Sequence, residues 1–118
     1  MSLVDFSNAL TPSEEIQLTV TDPASGRATT RPVWFIQEAH ILYLLPVQGS
    51  DTPWLRKVLK APGIRLAVND VAVGATARPI TDPGRVREIV EKFRAKYGAN
   101  QVKKYYSKLD VAVEASLG

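Results

Sequence analysis

Cysteine is absent from this 118-residue chain, which excludes disulfides, iron–sulfur clusters, thiolate zinc sites and cysteine nucleophiles. Histidine occurs once, as His40, so a multi-histidine metal site is excluded and a Ser-His-Asp arrangement would have to use that residue. No apolar run approaches the roughly 20 residues of a membrane span, and the N-terminus lacks the basic-then-apolar layout of a secretory signal. No repeat or low-complexity segment interrupts the chain. These absences lead to the expectation of a soluble, cytoplasmic protein without a metal site. The length allows a real core but is short for an enclosed large cofactor, which favours a site shared between two subunits.

Basic residues are missing from positions 1–26 and crowd the segment Arg85–Lys108, although the net charge is only +3. Two solvated helix faces are the first reading of that asymmetry, and attraction of an anionic cofactor or nucleic acid is the second. Aromatic platforms at regular spacing and a recognition helix are missing beside Lys96, Lys103, Lys104 and Lys108, so nucleic acid is not an expected partner.

What is present reads as strands with few helices. Residues 1–13 form a lead-in segment, with a short helix expected over Asp5–Leu10, and residues 14–118 form the folded domain. Ile16, Leu18 and Val20 alternate with polar residues, the period of a half-buried strand. A second strand covers Arg27–Gln37, where Pro32 marks an edge or a bulge because it cannot donate to a ladder. Glu38-Ala39 makes a tight return into a third strand, His40–Leu45, apolar enough for burial on both faces. Thr52 is a natural N-cap and Pro53 a natural first helical residue, with Leu55, Val58 and Leu59 as the buried face. Strands over Ile64–Val68 and Val71–Ile80 follow. Asp82-Pro83 opens the longest helix, striped by Val86, Ile89, Val90, Phe93 and Tyr97 and stopped by Gly98; that stripe makes Tyr97 a core residue. A brief helical segment over Asn100–Ser107 and a closing strand over Asp110–Leu117 complete the order. Short links make most pairings antiparallel, and six strands with few helices favour a closed or partly closed barrel.

The stretch Arg31–Pro62 carries the chemistry: two apolar strands, a Gly-Ser-Asp-Thr turn, then a helix start bearing Trp54, Arg56 and Lys57. Unpaired N–H groups and a positive dipole at such a start suit an anion, and the apolar run beside it suits a ring. Arg56 and Lys57 also fit the wet face of a short helix, and Trp34 and Trp54 fit the core or a subunit interface. His40, opening a strand after a turn, reads as a surface residue.

The segments TRPVWF, LYLLPVQGSDTPW with LRKVLKAP, and RPITDP followed by FRAKYG resemble the flavin- and deazaflavin-binding split-barrel superfamily. That superfamily holds the pyridoxamine-phosphate-oxidase-like proteins and the deazaflavin-dependent reductases, and the similarity runs from about Glu14 to Val113. It implies an α+β, mainly β fold, a six-stranded antiparallel split β-barrel. It further implies a homodimer with flavin mononucleotide (FMN) or the deazaflavin coenzyme F-420 in a groove at the interface. By position, Arg31 is then a charge near the cofactor tail; Pro32, Val33 and Trp34 line the ring, with Trp54 nearby; and Gly49, Ser50, Thr52, Arg56 and Lys57 form the phosphate turn. Thr52 and Lys57 stand where many relatives carry lysine and asparagine.

Hydride transfer needs little from side chains, because the cofactor carries the reaction. The expected function is therefore an oxidoreductase acting on a small organic substrate, with no catalytic residue assigned. The alternative is a noncatalytic module that holds a cofactor or apolar ligand on the same fold.

Overall fold

The computed structural model describes residues 15–68 and 71–117; the lead-in segment and the helix expected within it lie outside the described residues. Strands β1 (Glu15–Thr21), β2 (Ala28–Glu38), β3 (Ile41–Leu44), β4 (Gly63–Val68), β5 (Val71–Ile80) and β6 (Ala112–Leu117) close into a barrel in the order β1-β2-β3-β6-β5-β4. Every paired strand is antiparallel. Helices α1 (Pro53–Lys60), α2 (Pro83–Tyr97) and α3 (Ala99–Tyr105) sit around it, and a 3-10 turn, Gly49–Asp51, leads into α1.

Strand alternation divides the apolar residues between two cores. Ile16, Leu18, Val20, Phe35, Leu42, Leu44, Leu66 and Val113 fill the barrel, which Trp54, Leu55 and Val58 of α1 close. Each such side chain contributes about 1.5–3 kcal/mol on full burial. On the outside, Tyr43, Leu45 and Ala112 meet Val86, Ile89, Val90 and Phe93 of α2 together with Val102 and Tyr106. The third strand is thus buried on both faces as its composition suggests: Leu42 and Leu44 point into the barrel and Tyr43 toward the helices.

The long helix follows its sequence signals. Asp82 caps it by accepting a hydrogen bond from Arg85 N at 2.9 Å, an arrangement worth about 1 kcal/mol, and Gly98 ends it at φ +97°. Helix α1 departs from expectation in two ways. Its buried face is Trp54, Leu55 and Val58, and Leu59 is 56% exposed. The eight-residue helix cannot bury both Trp54 and Leu59, which diverge around its axis, and the larger tryptophan takes the barrel end. Thr52 occupies the N-cap position without capping: its hydroxyl turns back to accept from Gln48 N at 2.9 Å and is fully buried.

Pro32 lies on an edge. Strand β1 pairs with β2 from Ala28 to Trp34, whereas β3 pairs with β2 only from Phe35 to Glu38. Among the described residues, 28–34 therefore have a strand neighbour on one side alone, and Pro32 stands where its missing N–H breaks no ladder. The barrel is split there.

Candidate functional site

A groove of about 720 Å³ lies along the split. Arg31, Pro32, Val33 and Trp34 form one wall, where β2 has lost its β3 neighbour. Leu45 and Val47, on the chain leaving β3, and Trp54, at the barrel end, face them. The last turn of α2 and helix α3 supply Lys96, Tyr97, Gln101, Tyr105 and Tyr106, and Glu15 at the start of β1 completes the lining. Its volume falls in the range of small-molecule sites, about 300–1,000 Å³.

Trp34 is the centre of an aromatic cluster. Its indole stacks on Tyr97 with centroids 4.2 Å apart and planes 7° apart. Tyr105 meets it edge-on at 5.5 Å and Tyr106 at 5.9 Å. Burial pushes the Tyr106 phenol well above the ordinary range, with Tyr97 adding to the shift, so it stays a neutral hydrogen-bonding group. The Tyr97 hydroxyl lies 3.1 Å from both the N and the O of Phe35. Lys96 Nζ donates to that carbonyl at 2.9 Å and sits 3.6 Å from the centroid of the Phe35 ring. Two consecutive residues at the C-terminus of α2 thus fix the backbone of β2 where it borders the groove.

Arg31 brings charge without a partner among the described residues. Its Nε is buried and has no hydrogen-bond acceptor, a state that costs about 1–3 kcal/mol unless a ligand supplies one. The groove wall is therefore polarised: flat and aromatic at Trp34, cationic at Arg31.

Of the residues singled out in sequence, Arg31, Pro32, Val33, Trp34 and Trp54 come together in this groove; Gly49, Ser50, Thr52, Arg56 and Lys57 are not among its lining. The turn is occupied from within the chain. Asp110 accepts from Ser50 N at 2.9 Å and from the Ser50 hydroxyl at 2.6 Å. These bonds, the hydroxyl first, hold the Asp110 carboxyl below the usual carboxylate range, with Lys108 contributing. Arg56 faces Asp51 at 3.9 Å and Lys108 faces it at 3.3 Å, both as exposed pairs of small energetic weight. A carboxylate sixty residues downstream thus meets the anion preference read from the turn, and a sequence holds no local sign of that pairing.

Tyr97 was expected in the core; it packs against the outer core and lines the groove as well. The groove roles of Lys96, Gln101, Tyr105 and Glu15 went unread because each sits on a face that looks solvated in its own element. Tyr105 is 53% exposed beside its buried neighbour Tyr106, the one local sign that it serves a surface. His40 is exposed in the β2–β3 turn, away from the groove lining. Among the described residues no three His, Asp or Glu side chains are gathered as a metal site, and no helix is long and apolar enough to cross a membrane.

Solved structures share this architecture. An F420-H2 dependent reductase superposes with a TM-score of 0.68 at 17% identity, covering 87% of this chain and 94% of its own. The heme storage protein HutZ of Vibrio cholerae gives 0.77 at 11% identity over 98% and 89%. A pyridoxamine 5'-phosphate oxidase-type protein of Listeria innocua gives 0.72 at 14% over 97% and 91%. The chain is thus a six-stranded split β-barrel, the fold it shares with these structures. Within that class it belongs to the family of uncharacterized proteins conserved in bacteria DUF2255, whose family model matches residues 8–115. No curated protein matches it in sequence.

Proposed function

We propose that this chain is a small split-barrel oxidoreductase that holds a flavin or deazaflavin in the groove along β2 and passes a hydride to or from a small organic substrate. The observation that carries the reading is the groove itself: a stacked Trp34–Tyr97 wall beside an arginine whose buried Nε lacks an acceptor. A planar, apolar ring with an anionic tail fits that pair of features, so the residues present suit the group. When bound, the cofactor supplies the hydride chemistry.

The side chains bind, orient and exclude water. Trp34 offers its face to the ring, and Tyr97 and Lys96 hold the β2 backbone that carries it. Arg31 takes the anionic tail through a charge-assisted hydrogen bond. On this reading the tail lies on β2. The sequence-based alternative is the Gly49–Thr52 turn with Arg56 and Lys57, where Ser50 already serves Asp110.

A homodimer is part of the proposal. Val47 and Tyr105, 43% and 53% exposed, stand on the rim of the groove, beside the strand edge that β2 presents. A second copy covering that rim would bury both and enclose the ring.

The second reading, a noncatalytic binding module, is favoured by the scarcity of acid–base groups: among the described residues Glu15 is the one carboxylate in the lining, and the sole histidine lies elsewhere. The deciding experiment records the visible spectrum of the purified protein, then mixes it with reduced deazaflavin or reduced FMN and a dye acceptor. Multiple turnovers support the oxidoreductase; stoichiometric binding without turnover establishes the module.

A further inference from the structure

Two charged side chains in the groove are left unexplained by the contacts of the fold. Arg31 and Glu15 both line it, and among the described residues neither takes part in an ion pair or a side-chain hydrogen bond. In the β1–β2 ladder Glu15 stands opposite Trp34, and Arg31 stands opposite Leu18. The two are thus three rungs apart, about 10 Å along the strands at about 3.4 Å per residue. Opposite charges in one cleft that do not join each other are available to two ends of one ligand. Lys96, the other cation of the lining, is engaged with the carbonyl and ring of Phe35.

We infer that the groove selects a bipolar ligand: an anionic group on Arg31, a hydrogen-bond donor such as a ring N–H or an amine on Glu15, and a flat apolar body between them against Trp34. The inference rests on the groove being the ligand site and deepens that reading by naming what the ligand must carry at each end. Arg31 Nε is a donor without an acceptor, so it calls for an anion. An ionised Glu15 only accepts, so it calls for a donor and repels a second anionic end. Trp34 shares the rung of Glu15, three residues along β2 from Arg31, and supplies the stacking face at that end. Uncharged aromatics and molecules with anions at both ends are selected against.

The test uses two dyes with the full chain. One is the anilinonaphthalene sulfonate whose amine and sulfonate lie at opposite ends of the naphthalene; the other is its phenoxy analogue, with an ether oxygen in place of the N–H. Fluorescence titration of the unmodified protein is expected to show the amine dye bound about tenfold more tightly, the worth of one charge-assisted hydrogen bond. Glu15→Met is expected to erase that preference while leaving the ether dye unchanged. Arg31→Met is expected to weaken both dyes about tenfold, and Arg31→Lys less. Far-UV circular dichroism of each variant checks folding.

Equal loss of both dyes in Glu15→Met, no loss in either, or no saturable binding by the unmodified protein overturns the inference. A parallel FMN titration separates it from the cofactor reading. Absent FMN binding with the dye preferences intact removes the flavin and keeps the bipolar site. FMN binding with dyes indifferent to Glu15 does the reverse.

Discussion

Trp34 and Tyr97, sixty-three positions apart, lie face to face at 4.2 Å, and the Tyr97 hydroxyl reaches both the N and the O of Phe35 at 3.1 Å. One side chain therefore sets the plane of the groove wall and the backbone that bears it. The stack is worth about 0.5–1.5 kcal/mol beyond the area it buries, and the hydroxyl contacts about 1 kcal/mol more.

Tyr97→Phe is expected to keep the stack and lose the bridge to Phe35, costing about 1 kcal/mol. Tyr97→Ala removes both and opens a cavity beside Phe93, costing about 3 kcal/mol. Urea unfolding of the three proteins gives the comparison. Equal losses in the two variants would show that the ring contributes nothing and that the hydroxyl alone matters.

Gly49 is held at φ +54°, and a Cβ there would collide with Asp110 Oδ1 and lie 3.0 Å from Lys108 Cγ. Gly49→Ala is expected to cost about 2–4 kcal/mol, from the left-handed backbone and the broken Ser50–Asp110 contact. Asp110→Ala alone is expected to cost about 1 kcal/mol. Because the two changes damage one contact, the double variant should fall short of their sum by about 1 kcal/mol in a thermodynamic cycle. Strict additivity would show that the collision is absent.

The same carboxylate gives the fold an acid limb. The Ser50 hydroxyl and N–H, with Lys108, keep Asp110 ionised below the usual carboxylate range. A carboxyl lowered on folding stabilises the folded state above its unfolded value of about 4, and that contribution fades as pH falls through the folded value. Asp110→Asn should therefore melt lower than the unmodified protein near pH 7 and converge with it below about pH 3. Thermal melts across that range decide the point, and parallel curves would remove Asp110 from the acid response.

The barrel was legible because alternation in Ile16–Val20, the stop at Gly98, and the stripe of the long helix are local signals that tertiary packing did not override. Pro32 also foretold an edge or a bulge, since a missing N–H is intolerable in a fully paired strand, and the edge is what β2 shows. The site was half legible. Arg31, Pro32, Val33 and Trp34 share the groove because they are contiguous on one strand. The turn at Gly49–Thr52 has its partner at Asp110, and Lys96 and Tyr97 reach β2 from the end of a helix. Pairings at such separations carry no periodicity to read. Leu59 and Thr52 misled for a further reason: propensity placed the helix correctly, but which of its residues turned inward depended on the barrel end that Trp54 fills.

Where the anionic tail of a cofactor sits separates two sets of cations. Arg31→Met should weaken FMN about tenfold and leave riboflavin, which lacks the phosphate, unchanged. The double change Arg56→Ala with Lys57→Ala should leave FMN affinity within about twofold, as befits charges outside the groove lining. The reverse outcome, FMN lost with Arg56 and Lys57 and kept without Arg31, would return the phosphate to the turn.

The most direct measurement is a fluorescence titration of the desalted protein with FMN and, separately, with the deazaflavin coenzyme F-420, repeated on Trp34→Ala. Saturable binding of one of them is expected, weakened at least about tenfold when the stacking face is removed. Binding of neither, or binding indifferent to Trp34, would contradict a cofactor seated against this wall.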